Sequence, residues 1–190
     1  MTREPIRGIE EFLAHALAIE CEAVQRYREF QACFAEREED MLAGLCNNLS
    51  HFEEQHFDQL VERARGLTLP AIPANAYRWL DAGSPEALPH EAIYRIATPR
   101  QLLEIALMAE HRARDFFGWV ARSAGDPQVV RMAGEMAREE DEHVAWVSRA
   151  LEYLPSGEGD WDPLLEAGFG PGLAQDERRY GRGRATPPKP

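Results

Sequence analysis

The chain has 190 residues, of which 44% are hydrophobic and 28% are charged, and its formal net charge is -12. This length and composition are ordinary for one soluble globular domain with a sizeable core. The strong negative charge argues against a general nucleic-acid binder and against binding to anionic membrane surfaces.

The cysteines and the lack of long apolar runs indicate the cellular compartment of the protein. Cys21, Cys33 and Cys46 are odd in number and lack metal-ligand spacing, which is typical of a reducing compartment. Residues 1–8 lack the apolar core of a signal peptide, and no apolar run approaches the roughly 20 residues of a membrane span. We therefore expect a cytoplasmic protein without membrane contact.

Two long helices are predicted in the first half of the chain. The first runs from Ile9 to about Arg37, and the charged residues 36–40 form the turn that follows. The second extends to about Arg65 and stops at Gly66, because glycine commonly terminates helices. A short turn between two long helices makes them antiparallel neighbours.

Residues 67–97, called the crossover below, cannot form a long helix because they contain four prolines and Gly83. We expect only short helical turns there, near residues 77–80 and 90–95. Such a long connection is required in a bundle whose second and third helices run parallel.

The third and fourth helices have recognisable start signals. Thr98 and Gln101 can form a capping box at the start of the third, which ends near Ser123. Asp126-Pro127 starts the fourth helix by the same logic, and Pro155 limits it. The predicted fold is all-α, an antiparallel four-helix bundle with a long crossover between its second and third helices.

The predicted domain organisation has two parts. Residues 1–155 form the bundle, and residues 156–190 form a Gly- and Pro-rich tail with a basic patch. A solvated tail is the simpler interpretation of that segment. The alternative is a partner-binding arm, with Trp161 and Phe169 held against the bundle surface.

Titratable residues interrupt the apolar face of every predicted helix. The first and third faces each carry one Glu, and the second and fourth each carry Glu-x-x-His, which places both side chains on one helix face. The interrupting residues are Glu20, Glu53, His56, Glu110, Glu140 and His143. The lone Glu precedes the Glu-x-x-His by a similar distance in both halves, which indicates a repeated helix hairpin.

Six titratable side chains in an apolar core require compensation, because unpaired buried charge is expensive. Two divalent cations would neutralise the negative charge of the four inward carboxylates. The alternative is a metal-free bundle in which repulsion raises the carboxylate pKa values and some carboxylates are protonated. Oxygen and imidazole donors suit iron or manganese, and the absence of a cysteine among the six argues against iron–sulfur and structural zinc sites.

This set of residues resembles the ferritin-like di-iron carboxylate bundles, which place two lone Glu and two Glu-x-x-His motifs on four helices. The chain is most similar to the rubrerythrin type, where a Glu on the first helix is followed seven residues later by a Tyr, as Glu20 is by Tyr27. The resemblance covers residues 8–154. It implies a centre of two iron ions, with manganese or a mixed pair as alternatives, in a homodimer.

The same resemblance implies residue roles. Glu53 and Glu140 would bridge the two metals. His56 and His143 would each bind one metal, and Glu20 and Glu110 would be terminal ligands. Tyr27 is the candidate catalytic residue, which would hydrogen-bond a ligand carboxylate or pass electrons; a core aromatic residue fits its position equally well. Asp115 and Asp141 are candidates to hold the second ring nitrogen of each histidine.

The remaining histidines and two cysteines receive structural interpretations. His15, His51, His90 and His111 lie off the apolar faces, so surface or capping roles are predicted. Cys21 and Cys46 are interpreted as small apolar fillers and not as redox thiols.

Two departures from the rubrerythrin type concern the reaction. The chain has no Cys-x-x-Cys pair, so the electron donor must be external, and Leu107 occupies the position of a second Glu on the third helix. The predicted function is a ferroxidase- or peroxidase-type oxidoreductase that reacts with O2 or hydrogen peroxide. The alternatives are an iron-handling protein without turnover and a di-iron hydroxylase of an unknown substrate.

Overall fold

A computed structural model describes residues 4–154 of the chain. These residues form four long helices, named α1 (Ile9–Glu36), α2 (Asp40–Arg63), α3 (Pro99–Ser123) and α4 (Pro127–Tyr153). Two short 3-10 turns, Ala74–Ala76 and His90–Tyr94, lie between α2 and α3. No strand occurs between residues 4 and 154, and the predicted all-α four-helix bundle is confirmed. The predicted tail, including Trp161 and Phe169, lies outside the described residues.

Local sequence explains where the helices begin and end. The Thr98 hydroxyl accepts the Gln101 N–H at 3.3 Å and the Gln101 side chain accepts the Thr98 N–H at 3.2 Å, which is the predicted capping box. Asp126 caps α4 by accepting a first-turn backbone N–H at 2.8 Å. The second helix ends at Arg63, slightly earlier than predicted. Gly66 follows with φ 83°, a left-handed conformation that glycine adopts at little cost.

Two apolar cores lie one after the other along the bundle. Core A joins the later half of α1, the early halves of α2 and α3, and the end of α4; its large members include Phe30, Phe34, Leu42, Leu49, Leu102 and Val147. Core B joins the opposite halves, with Phe12, Leu13, Leu60, Phe116, Phe117 and Val129 among its members. This distribution requires α1 to run antiparallel to α2, α3 to run antiparallel to α4, and α2 to run parallel to α3.

The crossover runs along the bundle from core B to core A. Leu69 packs against core B, whereas Leu88 belongs to core A. The crossover covers the groove between α1 and α3, because the Trp79 ring lies 5.2 Å from His15 of α1 and 5.3 Å from Phe116 of α3. The parallel arrangement of α2 and α3 is therefore made by a segment that itself buries apolar side chains.

The first short turn of the crossover lies at Ala74–Ala76, earlier than the predicted 77–80. It begins where Pro73 accepts the Ala76 N–H at 2.8 Å. Tyr77 is extended instead of helical, and its ring stacks on Trp79 with centroids 4.6 Å apart. Aromatic packing on the bundle therefore takes precedence over a helical turn in this stretch. The second turn, at His90–Tyr94, agrees with the prediction.

His15 is fully buried, so the surface or capping role predicted for it is wrong. Its Nδ1 lies 2.8 Å from the Glu11 carbonyl oxygen, and its Nε2 accepts the Arg78 backbone N–H at 3.1 Å. Burial lowers the pKa of His15, which favours the neutral ring that this arrangement requires. The residue ties the crossover to α1. His51 and His90 are exposed, as predicted.

Among residues 4–154, no helix combines the length and the apolar character needed to cross a lipid bilayer.

Candidate metal centre

The six predicted ligands converge in the layer between core A and core B. The four glutamates are all buried, with exposed fractions of 4% or less. One group contains Glu20, Glu53 and His56, and the other contains Glu110, Glu140 and His143; in each group the potential ligand atoms lie within 4.8 Å of one another. Two ligands of one ion at about 2.1 Å are separated by no more than about 4.2 Å, so either group needs only a small contraction to bind a metal.

The α3–α4 group is held by direct contacts to an imidazole. His143 Nδ1 lies 3.2 Å from Glu140 Oε2 and 3.3 Å from Glu110 Oε2. Burial by itself lowers the pKa of His143, but the hydrogen bonds and charges of the two carboxylates outweigh it and raise the pKa to about 12. A proton on this ring therefore occupies the place between carboxylates that a metal cation would take.

The α1–α2 group is more open. His56 Nδ1 lies 3.8 Å from both Glu20 Oε2 and Glu53 Oε2, which is too long for hydrogen bonds. The His56 ring stacks on the His143 ring, with centroids 4.6 Å apart and planes 9° apart. The two groups thus meet through their histidines, and each histidine turns Nδ1 toward its own carboxylates.

Glu20 has the surroundings expected of a metal ligand. Neither of its carboxylate oxygens has a hydrogen-bond partner among the residues that the structure describes, although both are buried. Burial raises the pKa of Glu20 well above its ordinary value, and the charges of Glu53 and Glu140 raise it further. Burial likewise raises the pKa of Glu140 to about 8. A buried carboxylate without a hydrogen-bond partner destabilises the fold, and a bound cation would supply the compensating positive charge.

A fifth buried carboxylate, Glu86, was not predicted to belong to the site. It comes from the crossover and is 3% exposed. One of its oxygens lies within 4.8 Å of oxygens of Glu20 and Glu140. No helical period exists in this proline-rich segment to indicate where the side chain points. The only signal was its position between Pro85 and the apolar Leu88.

A pocket of about 200 Å³ reaches the site between α2 and α4. His56 and His143 line its inner part together with Glu53 and Glu110, and other residues of α2 and α4 form its walls. Those other residues are Leu49, Phe52, Gln55, Gln59, Glu139, Glu142 and Trp146. Because Gln55, Gln59 and Glu142 are exposed, the pocket connects the two histidines with the surface.

Tyr27 is buried in core A, which agrees with its interpretation as a core aromatic residue. Burial raises the pKa of its hydroxyl well above the ordinary value, and the charges of Glu110, Glu53 and Glu86 add to the effect. The phenol therefore stays protonated near three site carboxylates. Its catalytic role remains a prediction.

The residues expected to support the histidines lie elsewhere. Asp115 and Asp141 both pair with Arg114, at 2.8 and 3.8 Å, and their side chains are 62% exposed.

Leu107 packs against core A, where the rubrerythrin type would place a second Glu. Cys46 is fully buried in core A, and burial raises its pKa to about 12, in agreement with its interpretation as an apolar filler.

Comparison with known proteins adds one related structure. No family model matches the chain, and no curated protein matches it. The crystal structure of an uncharacterized conserved protein from Magnetospirillum magnetotacticum MS-1 is similar, with 29% sequence identity and a TM-score of 0.62. The similarity covers 80% of this chain and 99% of the other. The related structure thus supports the helical fold, and the buried Glu and His groups indicate that this fold could hold metal ions.

Proposed function

We propose that the protein is a cytoplasmic, rubrerythrin-like, non-haem di-iron carboxylate protein that reacts with O2 or hydrogen peroxide. The observation that carries the proposal is the pair of Glu–Glu–His groups joined by stacked histidines, with two buried Glu20 oxygens that have no hydrogen-bond partner in the described part of the chain. Charge and geometry both support two cations here. Without a cation, the buried carboxylates must either take up protons or stay charged without partners, and both reduce the stability of the folded chain near neutral pH.

The donor atoms favour iron, with manganese or a mixed pair as the alternatives. Carboxylate oxygens with one imidazole per metal suit both elements, and no cysteine belongs to either group. Two bound ferrous ions would supply the two electrons that reduce hydrogen peroxide to water or O2 to hydrogen peroxide. Glu53 and Glu140 would bridge, Glu20 and Glu110 would bind one ion each, and an external donor would return the electrons.

The pocket between α2 and α4 favours a small oxidant. Its volume of about 200 Å³ is smaller than the roughly 300–1,000 Å³ that ligand pockets commonly measure. Polar side chains at Gln55, Gln59 and Glu142 line its outer part. This shape gives O2 or hydrogen peroxide a route to the histidines and gives a bulky hydroxylase substrate little room.

Rapid-mixing absorbance measures the reaction. The protein is loaded anaerobically with two equivalents of Fe(II) and mixed with either oxidant, and near-ultraviolet absorbance follows ferric iron. We expect oxidation faster than that of free Fe(II) under the same conditions. Glu53→Gln and Glu140→Gln should slow it by at least roughly tenfold, because ligand-shell changes commonly have effects of that size.

Glu62→Gln is the matched control, because Glu62 is exposed on α2 and pairs with Arg65 outside the site. It should react as the wild type does. Oxidation at the rate of free iron with both oxidants would contradict the proposed reaction. If the protein nevertheless bound two ferrous ions and released them to a chelator, iron handling without turnover would be the better description.

A further inference from the structure

The crossover contributes a carboxylate to the face of the site that the six helical ligands leave uncovered. His56 and His143 lie toward the α2–α4 pocket. The crossover lies over the α1–α3 groove, where Trp79 contacts both helices. Glu86 therefore approaches from the side opposite the pocket, and it meets Glu20 of α1 and Glu140 of α4.

The surroundings of Glu86 hold it in this place. Ser84, Pro85 and Glu86 are all buried, although they belong to a connection and not to a helix. The Arg112 guanidinium of α3 donates a hydrogen bond to the Ala87 carbonyl at 3.3 Å. Leu88 then enters core A. Loops are normally exposed, so the burial of this short stretch fixes the Glu86 carboxylate inside the bundle.

Glu86 lacks the partner that a purely structural carboxylate would have. Its Oε2 is buried and has no hydrogen-bond partner within residues 4–154. The side chains whose oxygens lie within 4.8 Å of a Glu86 oxygen in this group are both carboxylates, those of Glu20 and Glu140. A buried charge placed among like charges reduces the stability of the metal-free protein, so its presence there calls for a ligand.

We infer that Glu86 is a metal ligand and that its carboxylate binds a metal ion beside Glu20 and Glu140. Metal binding would then hold the crossover against the bundle. The inference rests on the proposed function and extends it. A site with ligands from four helices alone would leave the connection between α2 and α3 independent of the metal. With Glu86 as a ligand, metal binding also fixes residues 81–89 of the crossover.

Titration with Mn(II) tests this without any redox step. Wild type, Glu86→Gln and Glu86→Ala are compared by equilibrium binding, with Glu91→Gln as control because Glu91 is exposed in the same crossover. We expect Glu86→Gln to weaken Mn(II) binding by at least roughly tenfold, since even residues outside the ligand set change affinity by that factor. Glu91→Gln should bind as the wild type does.

Two further measurements separate a ligand from a structural residue. Mn(II) should protect the backbone amides of residues 81–89 from hydrogen exchange in the wild type, and much less in Glu86→Gln. The metal-free variant should melt at the same temperature as the metal-free wild type or higher, because glutamine keeps the size of the side chain and removes an ionisable group that burial disfavours. A structural carboxylate would instead give a lower melting temperature and unchanged metal affinity.

The outcomes distinguish the two proposals. Equal Mn(II) affinity in wild type and Glu86→Gln would overturn the role of Glu86 and leave the proposed function standing. Failure of the wild type to bind either Mn(II) or Fe(II) would overturn both. Should Glu86→Ala not fold, the isosteric Gln variant still gives the decisive comparison.

Discussion

Several buried carboxylates at the centre of this bundle destabilise the metal-free fold, and bound cations would offset that cost. Among residues 4–154, Glu20 has two buried oxygens without a hydrogen-bond partner, and Glu86 has one. Hydrophobic residues of similar size would stabilise the metal-free bundle better than these carboxylates do. The residues therefore make physical sense as ligands. Glu110 and Glu140 also attract positive charge, because both contact Nδ1 of His143 and favour a proton there.

His15 gives a prediction for pH. Burial places its folded-state pKa below the ordinary 6.5, so protonation favours the unfolded chain. The stability that depends on neutral His15 is complete above that ordinary pKa and decreases as the pH falls toward the folded-state value. We expect the stability difference between wild type and His15→Phe to shrink from about pH 8 to about pH 5, the range in which histidine titrates.

Urea denaturation at several pH values measures this difference. A constant difference between wild type and His15→Phe over the whole range would contradict the neutral, buried state of the ring.

The sequence predicted which carboxylates on the helices are buried at the centre of the bundle and missed a buried carboxylate outside the helices. Glu20 and Glu140 interrupt apolar faces of period 3.6, so the direction of their side chains follows from their position. Glu86 lies in a segment without any period. His15 was misjudged for a different reason. It lies off the apolar face predicted for the first helix, but Tyr77 and Trp79 of the crossover pack on it, and the position of the crossover depends on tertiary packing.

At the scale of elements, the helix ends were predictable because their signals are local. The capping box at Thr98 and the Asp126 cap are both present as the sequence indicated. The turn at Ala74–Ala76 was displaced because Tyr77 and Trp79 pack on each other and on His15. Contacts between distant parts of the chain decided that stretch.

The cap of α3 gives a prediction at this scale. Thr98→Ala removes the hydroxyl that accepts the Gln101 N–H, so it should lower the free energy of unfolding by about 1 kcal/mol. Denaturation measures the loss. Metal stoichiometry should be unchanged, because Glu110 lies several turns away along α3. Thr68→Ala, at an exposed crossover position, is the matched control and should have little effect. An equal loss in both variants would contradict the capping role.

At the scale of the whole molecule, the site divides one long bundle into two apolar cores. Core A and core B each join parts of all four helices, so neither depends on the carboxylates for its packing. The bundle can therefore tolerate a charged layer between them, and metal binding should add to its stability by mass action, by about 2.7 kcal/mol at a metal concentration of 100 Kd. The homodimer expected from the rubrerythrin resemblance remains a prediction.

Anomalous scattering from crystals grown anaerobically with Fe(II) addresses the metal centre itself. Data collected at the iron absorption edge should give two strong peaks per chain in the layer between core A and core B. One peak should lie among Glu20, Glu53 and His56, and the other among Glu110, Glu140 and His143. Peaks only at surface carboxylates, or none at all in protein incubated with excess iron, would contradict the account.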